Sequence, residues 1–88
     1  VKLSRDVTVK NSLGLHARPA AVIAKMLQGV KASVSFTYES ETINAKSIMS
    51  ILMLAAGKNS IIRIDIDGEG AEELMNKLSL AFDQGFGE

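Results

Sequence analysis

The chain has 88 residues, ten basic and ten acidic side chains, a formal net charge of zero, 47% hydrophobic residues and no cysteine. That is the length of one small domain and the composition of a globular fold rather than a disordered tail. It excludes disulfides and thiolate metal sites, leaves one histidine and no zinc set, shows no basic excess for nucleic acid, and has no run near the ~20 apolar residues of a membrane span.

The opening stretch, Val1 to Asp6, does not resemble a signal peptide, so a cytoplasmic protein is expected. Leu3, Val7 and Val9 alternate with Lys2, Asp6, Thr8 and Lys10, which predicts a half-buried strand with Arg5 as the exception on its inner face. Asn11 to Leu15 reads as a loop. From Ala17 the period changes: Ala20, Ile23, Ala24 and Leu27 fall at helical spacing, and Gly29 is the expected stop. Val34, Phe36 and Tyr38 alternate with Ser33, Ser35 and Thr37 in a second strand. Glu39, Ser40 and Glu41 then turn the chain into a short third strand around Thr42 and Ile43. Ser47 opens an apolar run from Ile48 to Ala56, read as a short helix ended by Gly57. Ile62, Ile64 and Ile66 alternate in a fourth strand, and Asp67-Gly68 turns the chain. Ala71, Leu74, Met75, Leu78, Ala81 and Phe82 line one face of a last helix, and Gly85 and Gly87 mark a frayed end. The order is βαββαβα, an α+β domain spanning residues 1–88. Its one-sided strands suit an antiparallel sheet with helices over one face.

Chemistry concentrates in Gly14-Leu15-His16-Ala17-Arg18-Pro19-Ala20. If the helix begins at Ala17, His16 is its N-cap, a place that Ser, Thr, Asp and Asn favour and histidine does not. Proline is tolerated at position 19 because first-turn N–H groups lack helical partners in any case. The free N–H groups of Ala17 and Arg18 at a positive helix end suit an anion, and the Arg18 guanidinium can bond phosphoryl oxygens. The same positive end favours a neutral, nucleophilic imidazole over imidazolium. These parts fit reversible phosphoryl transfer, in which a protein mainly positions groups and stabilises charge. The same residues also fit an ordinary solvated histidine beside an arginine.

The run Leu13-Gly14-Leu15-His16-Ala17-Arg18-Pro19-Ala20-Ala21 resembles the active-site signature of the HPr family, the histidine-containing phosphocarriers of the bacterial phosphotransferase system. Asn44-Ala45-Lys46-Ser47-Ile48-Met49 resembles the regulatory serine segment of that family. The separation of the two runs and the closing Gly85-Phe86-Gly87-Glu88 are also similar to it. The resemblance covers essentially the whole chain. It implies an open-faced β-sandwich, a four-stranded antiparallel sheet covered on one side by three helices. It implies that His16 accepts a phosphoryl group on Nδ1 from phospho-enzyme I, assisted by Arg18, and passes it to IIA domains of sugar permeases. No cofactor and no metal are implied, and a monomer is expected. Glu88 is given no catalytic role. A histidine at position 16 separates the chain from the paralogue Crh. Ser40 and Ser50 depart from a pattern in which many members have glycine, so a differently shaped turn is expected at Ser40 and added polarity at Ser50.

By pattern alone Ser47 is a good helix cap. The resemblance adds regulatory phosphorylation there by an HPr kinase/phosphorylase, with binding to a catabolite repressor. Helical spacing puts Ile51, Leu54 and Ala55 on one side, and Ile48, Met49 and Leu52 toward another, partly exposed. The family uses residues matching Ile48, Met49 and Leu52 to contact partners, and Ala20 joins them in the expected docking patch. The alternatives are a purely regulatory binding module acting through Ser47, a carrier of the nitrogen-related branch of the same relay, and, more remotely, a small-ligand regulatory domain.

Overall fold

In the computed structural model, which describes residues 2–88, the strands are β1 (Lys2–Thr8), β2 (Ser33–Tyr38), β3 (Glu41–Asn44) and β4 (Ile61–Asp67). The helices are α1 (Ala17–Leu27), α2 (Ile48–Met53) and α3 (Ala71–Asp83), followed by a 3₁₀ turn at Gly85–Gly87. Val1, the first residue of the one-domain reading, lies outside the described residues.

The strands form one sheet in the order β1-β4-β2-β3, with each neighbouring pair antiparallel. β4 inserts between β1 and β2, so its isoleucines face partners on both sides: Ile64 is opposite Arg5 in β1 and Phe36 in β2, and Ile66 is opposite Leu3 and Val34. This central place explains why β4 carries the strongest alternation in the chain. Ile62, Ile64 and Ile66 are fully buried under the helices, while Ile61, Arg63 and Asp67 are exposed. The opposite face of the sheet is polar. There the Ser4 hydroxyl donates to Asp65, and Thr37 and Thr42 share a hydrogen bond of 2.8 Å across the hairpin. One apolar and one wetted face make an open-faced β-sandwich, as the alternation predicts.

The helix layer closes the core. Ala20, Ile23 and Leu27 from α1, Ile51 from α2, and Met75, Leu78 and Phe82 from α3 are buried against the sheet. Phe82 packs edge-on to Phe36 with ring centroids 5.7 Å apart, a favourable aromatic geometry. Arg5 lies on the helix-facing side, as expected. Its guanidinium reaches past the core to Asn76 Oδ1 and Ser79 Oγ, both at 3.1 Å, so its charge is solvated and hydrogen-bonded at the edge of α3.

Three local readings are corrected. The helix after Ser47 stops at Met53; Ala55 takes a left-handed φ of 54° and is exposed rather than buried beside Ile51 and Leu54. In the β2–β3 turn the left-handed residue is Glu39, at φ 57°, and not Ser40. The C-terminal segment is not frayed. Phe86 stacks edge-on to Phe82 with centroids 4.9 Å apart, and this apolar anchor turns the last residues back onto the domain.

Ser47 caps α2: its Oγ accepts the Ser50 N–H at 3.2 Å, and the Ile51 N–H bonds the Ser47 carbonyl at 3.1 Å. Ser50, the polar departure in this helix, therefore has its backbone donor satisfied by the cap. Ser47→Ala should cost about 1 kcal/mol in urea unfolding, and Ser47→Asp, which keeps a capping oxygen, should retain most of that stability.

Candidate functional site

The loop from Asn11 to Leu15 is fastened from below. Gly14 has φ 70° and packs so closely on the α2–β4 connection that a Cβ there would stand 2.4 Å from the Ala56 carbonyl oxygen. The Leu15 N–H donates to that same carbonyl at 2.9 Å, and Leu15 is buried. Only glycine satisfies both the backbone conformation and the contact. This hydrogen bond also explains why α2 ends early. The chain must leave the helix for Ala56 to present its carbonyl to the loop.

His16 follows at once as the N-cap of α1, with extended backbone and no capping bond from its side chain. The Ala20 N–H closes the first turn on the His16 carbonyl at 3.1 Å. The N–H groups of Ala17 and Arg18 thus stand at the open end of an 11-residue helix, and Pro19 has none to satisfy. Ala17 and Arg18 are exposed and His16 is partly so. The structure brings His16, Ala17 and Arg18 together at one helix end, as the spacing predicts.

Glu88, given no catalytic role by sequence, stands against the histidine. Its Oε1 lies 3.0 Å from His16 Nε2, and its Oε2 lies 3.5 Å from the Arg18 guanidinium. The Glu88 side chain is only 18% exposed, against 77% for Arg18. Asn11 completes the cluster from inside: its Nδ2 donates to the Gly14 carbonyl at 2.5 Å and to Glu88 Oε1 at 3.3 Å, while its buried Oδ1 has no hydrogen-bond partner among the described residues. The hydrogen bond from His16 is the main cause that holds the Glu88 carboxyl below its ordinary pKa, with Asn11 and the Arg18 charge helping against partial desolvation. The expected purely positive surrounding of His16 is therefore corrected, because a carboxylate sits against the imidazole. Two glycines bracketing an aromatic, Gly85-Phe86-Gly87, were the signal available in the sequence. They make a tight turn with an apolar anchor, and such a turn returns the next side chain to the body of the domain.

The neighbouring surface comes from α2. Ile48 and Met49 are exposed and Leu52 is half-buried, so this face is apolar and open to water; Met53 of the same helix and Leu13 of the histidine loop are exposed as well. Ala20 is corrected. It is fully buried in the core and cannot belong to a docking patch. Charge is segregated along the chain as well. No acidic residue falls between Asp6 and Glu39, nor between Glu41 and Asp65, so α1, α2 and their flanks carry Arg18, Lys25, Lys46 and Lys58 without nearby acids in sequence. In the fold Lys25 and Lys46 line one cleft with Ile48, and Arg18 and His16 share the Glu88 carboxylate.

Two outcomes follow from this geometry. Gly14→Ala should lose about 1–3 kcal/mol of stability in thermal or urea unfolding, from a left-handed φ without glycine and a clash with a carbonyl. The Glu88 carboxyl should titrate below the ordinary carboxylate midpoint in carbon-detected NMR, and His16→Ala should move that midpoint up. The sign follows from linkage: a depressed folded-state pKa gives a contact that is complete above the unfolded value and is lost as pH falls through the folded one. The tail contact should therefore be intact near neutrality and released in acid.

Comparison with known proteins identifies the family of the chain. A family model described as the PTS HPr component phosphorylation site matches residues 3–84. The chain is 45% identical over 87 residues to the phosphocarrier protein HPr of Chlamydia trachomatis, covering 99% of this chain and 80% of that one. Among solved structures it is similar to HPr from Thermoanaerobacter tengcongensis, with a TM-score of 0.92, 29% identity and 98% and 97% of the two chains covered. It is also similar to HPr from Bacillus anthracis, with a TM-score of 0.87, 35% identity and 93% and 98% covered. With its fold, its histidine loop and nearly its whole length matched, the chain belongs to the HPr family of phosphocarriers of the phosphotransferase system.

Proposed function

We propose that His16 is the phosphoryl acceptor of a phosphoenolpyruvate-driven relay, charged by phospho-enzyme I and discharged to IIA domains of sugar permeases in the cytoplasm. The observation that carries this reading is the His16 imidazole at the open end of α1, held through Nε2 by the Glu88 carboxylate at 3.0 Å. An acceptor carboxylate at Nε2 selects the tautomer with its proton there, which leaves the lone pair on Nδ1 as nucleophile.

Nδ1 attacks phosphorus, the N–P bond forms, and the bond to the donor's leaving group breaks. The ring then gains positive character, which the Nε2–H···carboxylate bond stabilises, as a carboxylate does for the imidazolium of a catalytic triad. The phosphoryl oxygens meet the Arg18 guanidinium and the free N–H groups of Ala17 and Arg18. Arg18 is exposed enough to turn from Glu88 Oε2 toward the phosphoryl group. Transfer onward reverses the same steps on the IIA domain, and a good leaving group keeps the exchange near balance. The chain is a phosphorylated intermediate rather than a turnover enzyme, and no bound cofactor takes part.

Docking falls to Ile48, Met49 and Leu52, with Lys25 of α1 and Lys46 just before α2 lining a cleft beside Ile48. Such a face suits an acidic partner surface with a small apolar centre, and a small mixed contact releases quickly, as a carrier must. Ser47 stands at the edge of this face. A phosphate there, added by an HPr kinase/phosphorylase, would place roughly −1.5 to −2 charges beside the patch, opposing an acidic partner and favouring a different one, such as a catabolite repressor.

Incubation with enzyme I and phosphoenolpyruvate should yield an acid-labile, base-stable adduct. His16→Ala should abolish it, and equal labelling of that variant would sink the proposal. Arg18→Ala should slow labelling about tenfold, the rate equivalent of one charge-assisted hydrogen bond at an exposed site. Parallel transfer to sugar-type and nitrogen-type IIA domains decides the branch. Acid-stable labelling by ATP and kinase, lost in Ser47→Ala, tests the serine site.

A further inference from the structure

The chain has four methionines, Met26, Met49, Met53 and Met75, and they divide sharply by environment. Met75 fills the core under α3 at 1% exposure, and Met26 is half-buried. Met49 and Met53 are 67% and 77% exposed. They stand one turn apart on α2, at i and i+4, so their thioethers share one helix face. Neither is needed to fill the core, since Ile51 and Leu54 do that from the same segment. In a chain without cysteine, exposed thioethers are the side chains most readily oxidised.

We propose that Met49 and Met53 form a peroxide-sensitive modification site that weakens docking at the His16 face; this rests on the docking role proposed above. A sulfur lone pair attacks one peroxide oxygen, the S–O bond forms, the O–O bond breaks, and the second oxygen leaves as water. Sulfur is oxidised by two electrons and the peroxide is reduced by two. The product is a sulfoxide, polar and chiral where the thioether was apolar and flexible. In the free chain both sulfoxide oxygens are hydrated, so folding is little changed. In a complex the dry centre of the contact strips that water and leaves a strong acceptor without a donor, which costs affinity. Sulfoxide reductases return methionine, so the site is reversible. Buried Met75 stays reduced while the fold persists and serves as an internal reference.

The test treats the intact chain with hydrogen peroxide, maps oxygen addition by peptide mass spectrometry, and measures acceptance from phospho-enzyme I. Met49 and Met53 should be oxidised well before Met75. The KM for acceptance should rise about tenfold with kcat little changed, the signature of lost binding, and a sulfoxide reductase should restore it. The double variant M49L/M53L, compared with its own untreated form, should show no peroxide-dependent rise. Sulfoxides at both positions with an unchanged KM would overturn the proposal, as would an equal rise in the double variant or oxidation of Met75 in step with the exposed pair. If the untreated chain is not phosphorylated at all, the carrier reading fails and takes the switch with it.

Discussion

The contact between Gly14 and the Ala56 carbonyl holds the chemistry of this molecule in place. A backbone approach of this kind tolerates no side chain, and the Leu15 N–H bond to the same oxygen fixes it further. From that point the chain runs directly into α1, so the backbone of His16 is placed by the loop and the helix end, and Glu88 then orients its ring through Nε2. The same contact sets the length of α2, because Ala56 must leave the helix to meet the loop. The histidine segment and the Ser47 helix are therefore mechanically joined, although they are far apart in sequence.

Upon that frame the chain builds a surface of mixed character. The sheet and the buried faces of three helices satisfy the core, leaving Ile48, Met49, Met53 and Leu13 in water. Exposed apolar groups clustered beside a reactive side chain serve recognition better than stability. Methionine suits such a place because its flexible thioether adapts to differently shaped partners. The same softness is what makes it oxidisable. The proposed docking surface, built on thioethers, thus joins adaptability to chemical vulnerability.

The C-terminal segment shows how a weak local signal becomes a contact at the candidate site. Phe86 buys its place by packing on Phe82, and that single anchor delivers the Glu88 carboxylate to His16 Nε2 and toward Arg18. Asn11, buried in the loop, holds the carboxylate from the other side, while its own Oδ1 has no partner among the described residues. An unpaired buried acceptor is a standing cost, retained here next to the reactive group.

Much of the fold was legible in residue order. Period-two alternation in Val34-Ser35-Phe36 and in Ile62 to Asp67, and period-3.6 spacing in α1 and α3, follow from which faces meet the core. The element order and the one-sided sheet rest on these. His16 at a helix start was legible too, because a poor cap among good helix formers stands out. What tertiary structure alone decided has one common physical reason: it depends on contacts between residues distant in sequence. The end of α2 depends on a carbonyl needed by residue 15, and the place of Glu88 on an aromatic contact with α3. Local pattern records which face a residue turns inward. It does not record which distant group waits there.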